Sequence, residues 1–185
     1  MASIALFHHV HGLTDGVRAF ASALEAHGHR VSTPDLFDGQ TFAPLAEGMA
    51  HAESAGMAAI AERGAAAADP DATVFVGFSL GALPAQKLAQ TRRGAQAAVL
   101  IHAAVPLGFF GDTWPPSVAL QIHTAEHDER GDADVARELV KQAPGAELFL
   151  YPGTDHLTTD SSLPAYDPTT AGHVLQRTIG LLDRL

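Results

Sequence analysis

The chain has 185 residues, a size that fits one domain spanning 1–185, and its 46% hydrophobic content is enough to build a sizeable core. Its formal charge of -10, from 11 Lys and Arg against 21 Asp and Glu with no basic run, argues against nucleic acid or an anionic membrane as partner. The absence of cysteine removes disulfides, thiolate metal sites and a cysteine nucleophile together. Residues 1–7 carry no positively charged signal-like region, no stretch is long enough to cross a bilayer, and the expectation is a soluble cytoplasmic protein. Nothing in the composition distinguishes a monomer from a homodimer.

Short apolar runs alternate with longer helical patterns. Ile4 to Phe7 reads as a buried strand, and Asp15 to His27 as a helix with Val17, Phe20, Ala21 and Leu24 at helical spacing, stopped by Gly28. A weaker strand, Arg30 to Thr33, closes at Pro34, and Asp35 to Ala43 is loop. Pro44 to Ala68 reads as one alanine-rich helix, although Gly48, Gly56 and Gly64 fall inside it. The even spacing of these glycines is read as compositional bias rather than close packing.

Next come strand Ala72 to Val76 and helix Ala82 to Ala89. After them stand strand Ala97 to His102, a turn-rich loop from Val105 to Pro116, strand Val118 to His123, helix Ala133 to Gln142, strand Glu147 to Tyr151 and helix Thr169 to Leu185. Alternation of this kind implies a parallel sheet with helices on both faces, and a site outside the carboxyl ends of the strands.

Between strand and helix stands Gly77-Phe78-Ser79-Leu80-Gly81. A G-x-S-x-G in this setting describes a nucleophile elbow: the turn is too tight for side chains beside the serine, so glycine flanks it and Ser79 projects alone. Outside such a setting the pattern is only a turn. A serine hydroxyl needs a base and an orienter for the base, and after an elbow these follow in the order Ser, Asp or Glu, His. Of the 11 histidines, His156 fits best, on the loop Pro152 to Asp155 that follows a late strand. The acid belongs on the loop one strand earlier, where spacing leaves Glu126, Asp128 and Glu129 open.

An oxyanion needs backbone donors, and Leu80, next after the serine, supplies one. The second comes from the loop His8 to Thr14. The histidines in that loop also suggest a metal pair, His9 and His11 sharing one face, but no further ligand follows at a recognised spacing. No metal or other cofactor is expected, and His9 and His11 are assigned to the polar lining of a substrate pocket. Phe109 and Trp114 either wall that pocket or cover the core; they are assigned to the pocket.

Together these pieces resemble the dienelactone hydrolase family, a compact branch of the α/β-hydrolase fold without a large cap domain. The resemblance runs through Gly12 to Val17, Gly28 to Gly39 with Pro34-Asp35-Leu36, the elbow, Ala125 to Asp128, Tyr151 to His156, and Tyr166-Asp167. It implies Asp128 as the acid, His156 as the base, and Val10 as the second oxyanion donor. Three departures stand out. Family members cleaving dienelactone carry cysteine where Ser79 stands, a glutamate where His9 stands, and a substrate-holding arginine where Asp160 stands, which would repel a carboxylate. The resemblance therefore implies a small neutral ester or lactone as substrate, and its rival is a non-catalytic binding protein on the same fold.

Overall fold

A computed structural model describes residues 1–185. Six strands form one parallel sheet in the order β2-β1-β3-β4-β5-β6: β1 (Ser3–Phe7), β2 (Arg30–Ser32), β3 (Val74–Phe78), β4 (Ala97–Ile101), β5 (Ala119–Ala125) and β6 (Glu147–Tyr151). Six helices link them: α1 (Asp15–Ala26), α2 (Leu45–Ala55), α3 (Met57–Ala67), α4 (Ala82–Thr91), α5 (Ala133–Gln142) and α6 (Pro168–Leu182). The longest connection, 33–73 between β2 and β3, holds only α2 and α3.

The two-residue period of the strands divides the core into two layers. Ala5, Phe7, Phe75, Ala98, Leu100, Leu120 and Ile122 point to one face, against Ile60 and Ala61 of α3, Leu88 of α4 and Leu139 of α5. Ile4, Leu6, Val74, Val76, Val99 and Ile101 point to the other, against Val17, Phe20 and Leu24 of α1 and Val174 and Leu181 of α6. All residues of β3 and β4 are buried, as strands covered on both faces must be. The loop after β1 leads to β2 on one side, and β3 lies on the other. The chain thus parts over the ends of β1 and β3, which opens a crevice there.

The segment expected as one helix is two. Gly56, at φ 84°, ends α2 and begins α3, a backbone conformation costly for any side chain. Gly48 and Gly64 also have packing reasons, so the reading of bias is corrected. A Cβ on Gly48 would lie 2.1 Å from the Val10 carbonyl oxygen, and one on Gly64 would lie 2.5 Å from Pro84 Cβ. These two glycines let α2 press on the loop after β1 and α3 press on α4. No helix is long and apolar enough to cross a membrane.

Candidate active site

β3 delivers Ser79 at its carboxyl end, and the turn into α4 is as tight as the motif implies. A Cβ on Gly77 would sit 2.2 Å from the Gly81 carbonyl oxygen, and one on Gly81 would sit 2.3 Å from that of Phe7. Ser79 itself has φ 49°, a left-handed conformation unfavourable for a residue with a Cβ. The cost is borne by the packed strand and helix on either side.

The Ser79 hydroxyl lies 2.8 Å from His156 Nε2, and His156 Nδ1 lies 2.6 Å from Asp128 Oδ2. Because an ionised carboxylate only accepts, Nδ1–H donates to Asp128 and Nε2 is left to accept the Ser79 proton. Of the three acids the spacing left open, Asp128 is buried at the imidazole, whereas Glu126 and Glu129 are exposed. Burial pushes the Asp128 carboxyl up. The hydrogen bond and charge of His156, with the Arg130 N–H at 2.9 Å, outweigh that and hold it below the usual carboxylate range.

Val10 and Leu80 both line the cavity beside Ser79, and the Val10 N–H has no intramolecular hydrogen-bond partner. The loop that carries Val10 is pinned by its histidines. His8 Nδ1–H donates to the His9 carbonyl (2.7 Å) while Nε2 accepts the Leu36 N–H (2.9 Å). His11 Nδ1–H donates to the Phe42 carbonyl (2.7 Å). His9 Nε2–H donates to Asp160 Oδ2 at 2.7 Å, and its Nδ1 accepts the His11 N–H at 3.3 Å. The three rings are committed to backbone and to one carboxylate, and no group of three or more His, Cys, Asp or Glu side chains is arranged to hold a metal ion.

The cavity over Ser79 measures about 400 Å³ and is mainly apolar. Its walls come from Leu45 and Met49 of α2, Met57 of α3, Leu83 of α4 and Val105 after β4, with Glu129, Arg130 and Asp132 beside His156. None of the four side chains expected to line it does so. His9 is fully buried behind Val10, and His11 is turned to Phe42. Trp114 is 3% exposed within the core, its indole N–H donating to the Val118 carbonyl at 2.7 Å. Phe109, 53% exposed, stands edge-on to Phe110 in a separate shallow groove with Lys87 and Glu62. The tight turn Leu107–Phe109 carries that loop away from the cavity.

Asp160 also differs from expectation. It does not line the cavity and is 2% exposed, so it has no face from which to repel a substrate. His102 escaped the sequence reading altogether. At the end of β4, with φ 65°, its buried ring stands 5.6 Å edge-on to that of His156, and its Nε2 is 2.9 Å from Thr159 Oγ1. Its exceptional backbone has no signature in a single residue name.

Comparison with known proteins gives the family. The family model described as the dienelactone hydrolase family matches residues 1–185. Among solved structures, the chain is similar to a dienelactone hydrolase-like promiscuous phosphotriesterase from metagenomic libraries, with 19% identity, TM-score 0.82, and 100% of this chain and 87% of that chain covered. It is also similar to a dienelactone hydrolase from Anabaena variabilis, at 17% identity and TM-score 0.70, covering 99% of this chain and 86% of that one. At such identities the structural likeness shows the fold alone. No curated protein matches. The full-length family match, on a fold with an elbow serine over a parallel sheet, shows that this chain belongs to the dienelactone hydrolase family.

Proposed function

We propose that the protein is a serine hydrolase of small carboxylic esters or lactones, acting through an acyl-enzyme. The observation that carries this reading is the unbroken line from Ser79 Oγ through His156 to Asp128, with both spacings at hydrogen-bond length. Ser79 Oγ attacks the carbonyl carbon as His156 Nε2 takes its proton. Asp128 keeps the imidazole in the tautomer that can accept and stabilises the imidazolium that results. The N–H groups of Val10 and Leu80 receive the charge that develops on the carbonyl oxygen. Collapse of the intermediate breaks the bond to the alcohol oxygen, which takes the proton from His156. Water, deprotonated by the same imidazole, then releases the acid and restores Ser79.

The apolar walls formed by Leu45, Met49, Leu83 and Val105 suit the hydrocarbon part of a small substrate. The reading is tested with p-nitrophenyl acetate: Ser79→Ala is expected to abolish turnover while the fold survives, and a folded variant with wild-type turnover would overturn it. If the binding-protein rival holds instead, folded wild type shows no turnover that depends on Ser79.

A further inference from the structure

The carboxylate of Asp160 is the most heavily hydrogen-bonded acid in the molecule, and none of its bonds belongs to the line from Ser79 to Asp128. Oδ2 accepts from His9 Nε2–H at 2.7 Å and from the Thr14 hydroxyl at 2.5 Å. Oδ1 accepts from the Ser162 N–H at 2.8 Å and from its hydroxyl at 2.5 Å. Burial raises its pKa, but the bonds from His9, Ser162 and Thr14 hold Asp160 far below the usual carboxylate range, so it stays charged. Both His9 and Asp160 are almost completely buried.

The location of this pair is what gives it a role. His9 immediately precedes Val10 on the loop after β1, and Asp160 follows His156 by four residues on the loop after β6. Thr159, next to Asp160, bonds His102, whose ring stands beside that of His156. One buried carboxylate thus joins the loop bearing the free Val10 N–H to the loop bearing the imidazole. His9 can serve only in one tautomer, because Nε2–H faces Asp160 while Nδ1 faces the N–H of His11. The residues that replace the family's glutamate and arginine therefore meet each other.

We propose that His9 and Asp160 are positioning residues: their buried hydrogen bond fixes the Val10 N–H and the His156 ring relative to each other over Ser79. This rests on the serine hydrolase reading. It predicts that breaking the bond slows the chemical step and leaves substrate binding nearly intact, since the cavity walls come from other side chains. Displacing an oxyanion donor or a reacting group by about an ångström is expected to lower rate by about 10- to 100-fold.

The test compares Asp160→Ala, which removes the acceptor, His9→Asn, which keeps an acceptor near the His11 N–H but does not reach Asp160, and Asp160→Asn, whose amide oxygen can still accept from His9. With p-nitrophenyl acetate, the first two are expected to lose kcat by about 10- to 100-fold with KM within about threefold, and Asp160→Asn to recover most of the loss. Amide hydrogen exchange at residues 10–12 is expected to speed up in the first two and not in Asp160→Asn. Should Asp160→Ala fail to fold, His9→Asn decides. Unchanged kcat, a loss carried by KM, or an Asp160→Asn no better than Asp160→Ala would overturn the proposal. Wild type without Ser79-dependent turnover would sink the hydrolase reading and this one together, whereas Ser79-dependent turnover with unaffected variants would sink this one alone.

Discussion

Lowering the pH from 7 to 5 is expected to remove several kcal/mol of folding stability, because His8, His9, His102 and His123 are buried and burial pushes the pKa of each down. Burial pushes His8 down to about 4, partly opposed by its bond to the His9 carbonyl and by Asp35; burial and the Arg177 charge push His123 down to about 3. Each ring already uses one nitrogen as donor and one as acceptor. His123 accepts the Tyr151 O–H on Nδ1 and donates from Nε2 to Gln121, both at 2.8 Å, so a further proton must break a bond.

A histidine whose folded pKa is depressed gives its full stabilisation above the unfolded value of 6.5, and loses it as pH falls toward the folded value. At pH 5 the unfolded chain has gained both protons and the folded protein almost neither, a difference of about 2 kcal/mol per histidine, or about 4 kcal/mol for the pair. With a urea dependence of about 2 kcal/mol per molar, His8 and His123 alone are expected to lower the unfolding midpoint by about 2 M between pH 7 and pH 5, and His9 and His102 add to the fall in the same direction. His123→Phe, which keeps the stacking on Phe149 but cannot titrate, is expected to reduce that shift by about 1 M whatever it does to stability at pH 7. The formal charge of -10 shrinks over this range, which relieves repulsion and acts in the opposite direction. A midpoint that moves by less than about 0.5 M, or a His123→Phe variant with the wild-type shift, would refute the reasoning.

Gly48→Ala is expected to destabilise by about 1–3 kcal/mol and to lower kcat, because the new Cβ meets the Val10 carbonyl oxygen. Gly172→Ala, inside α6 with nothing within 4 Å, is expected to stabilise by up to about 1 kcal/mol; paired urea titrations check both. Asp128→Asn is expected to lower kcat on the order of 10³- to 10⁴-fold with little change in Tm, since the imidazole loses the carboxylate that sets its tautomer. Trp114→Phe is expected to cost about 1 kcal/mol through the lost bond to Val118 while KM stays at its wild-type value, as the ring is in the core and not the cavity.

The parts of the fold legible in the sequence are those with a local physical cause. Buried parallel strands are continuous apolar runs, and Gly77 is demanded by backbone crowding within five residues, whereas Gly81 is demanded by the end of β1 at Phe7. Ser79 and His156 were legible because topology places loops at one end of the sheet, whereas spacing left Glu126, Asp128 and Glu129 open and only the family resemblance pointed to Asp128. Other features depend on which distant surfaces meet. Gly48 is explained only by Val10, and Gly64 only by Pro84, contacts that spacing along one segment cannot reveal. Trp114 and Phe109 looked alike as aromatic loop residues, and a short turn sent one into the core and the other into solvent. The cavity wall from Leu45 and Met49 lies at helical spacing on α2, a signal that could have been used had the helix been known to cross the site. Asp160 reads as a repulsive charge in isolation, and becomes a buried anchor once His9 is found beside it.

The central claim is that Ser79 is an activated nucleophile. It is tested most directly by incubating the folded protein with a fluorophosphonate probe and mapping the adduct by mass spectrometry. One adduct per chain is expected, on the peptide containing Ser79, and none in Ser79→Ala. Folded wild-type protein that remains unlabelled, or that is labelled at another residue, would contradict it.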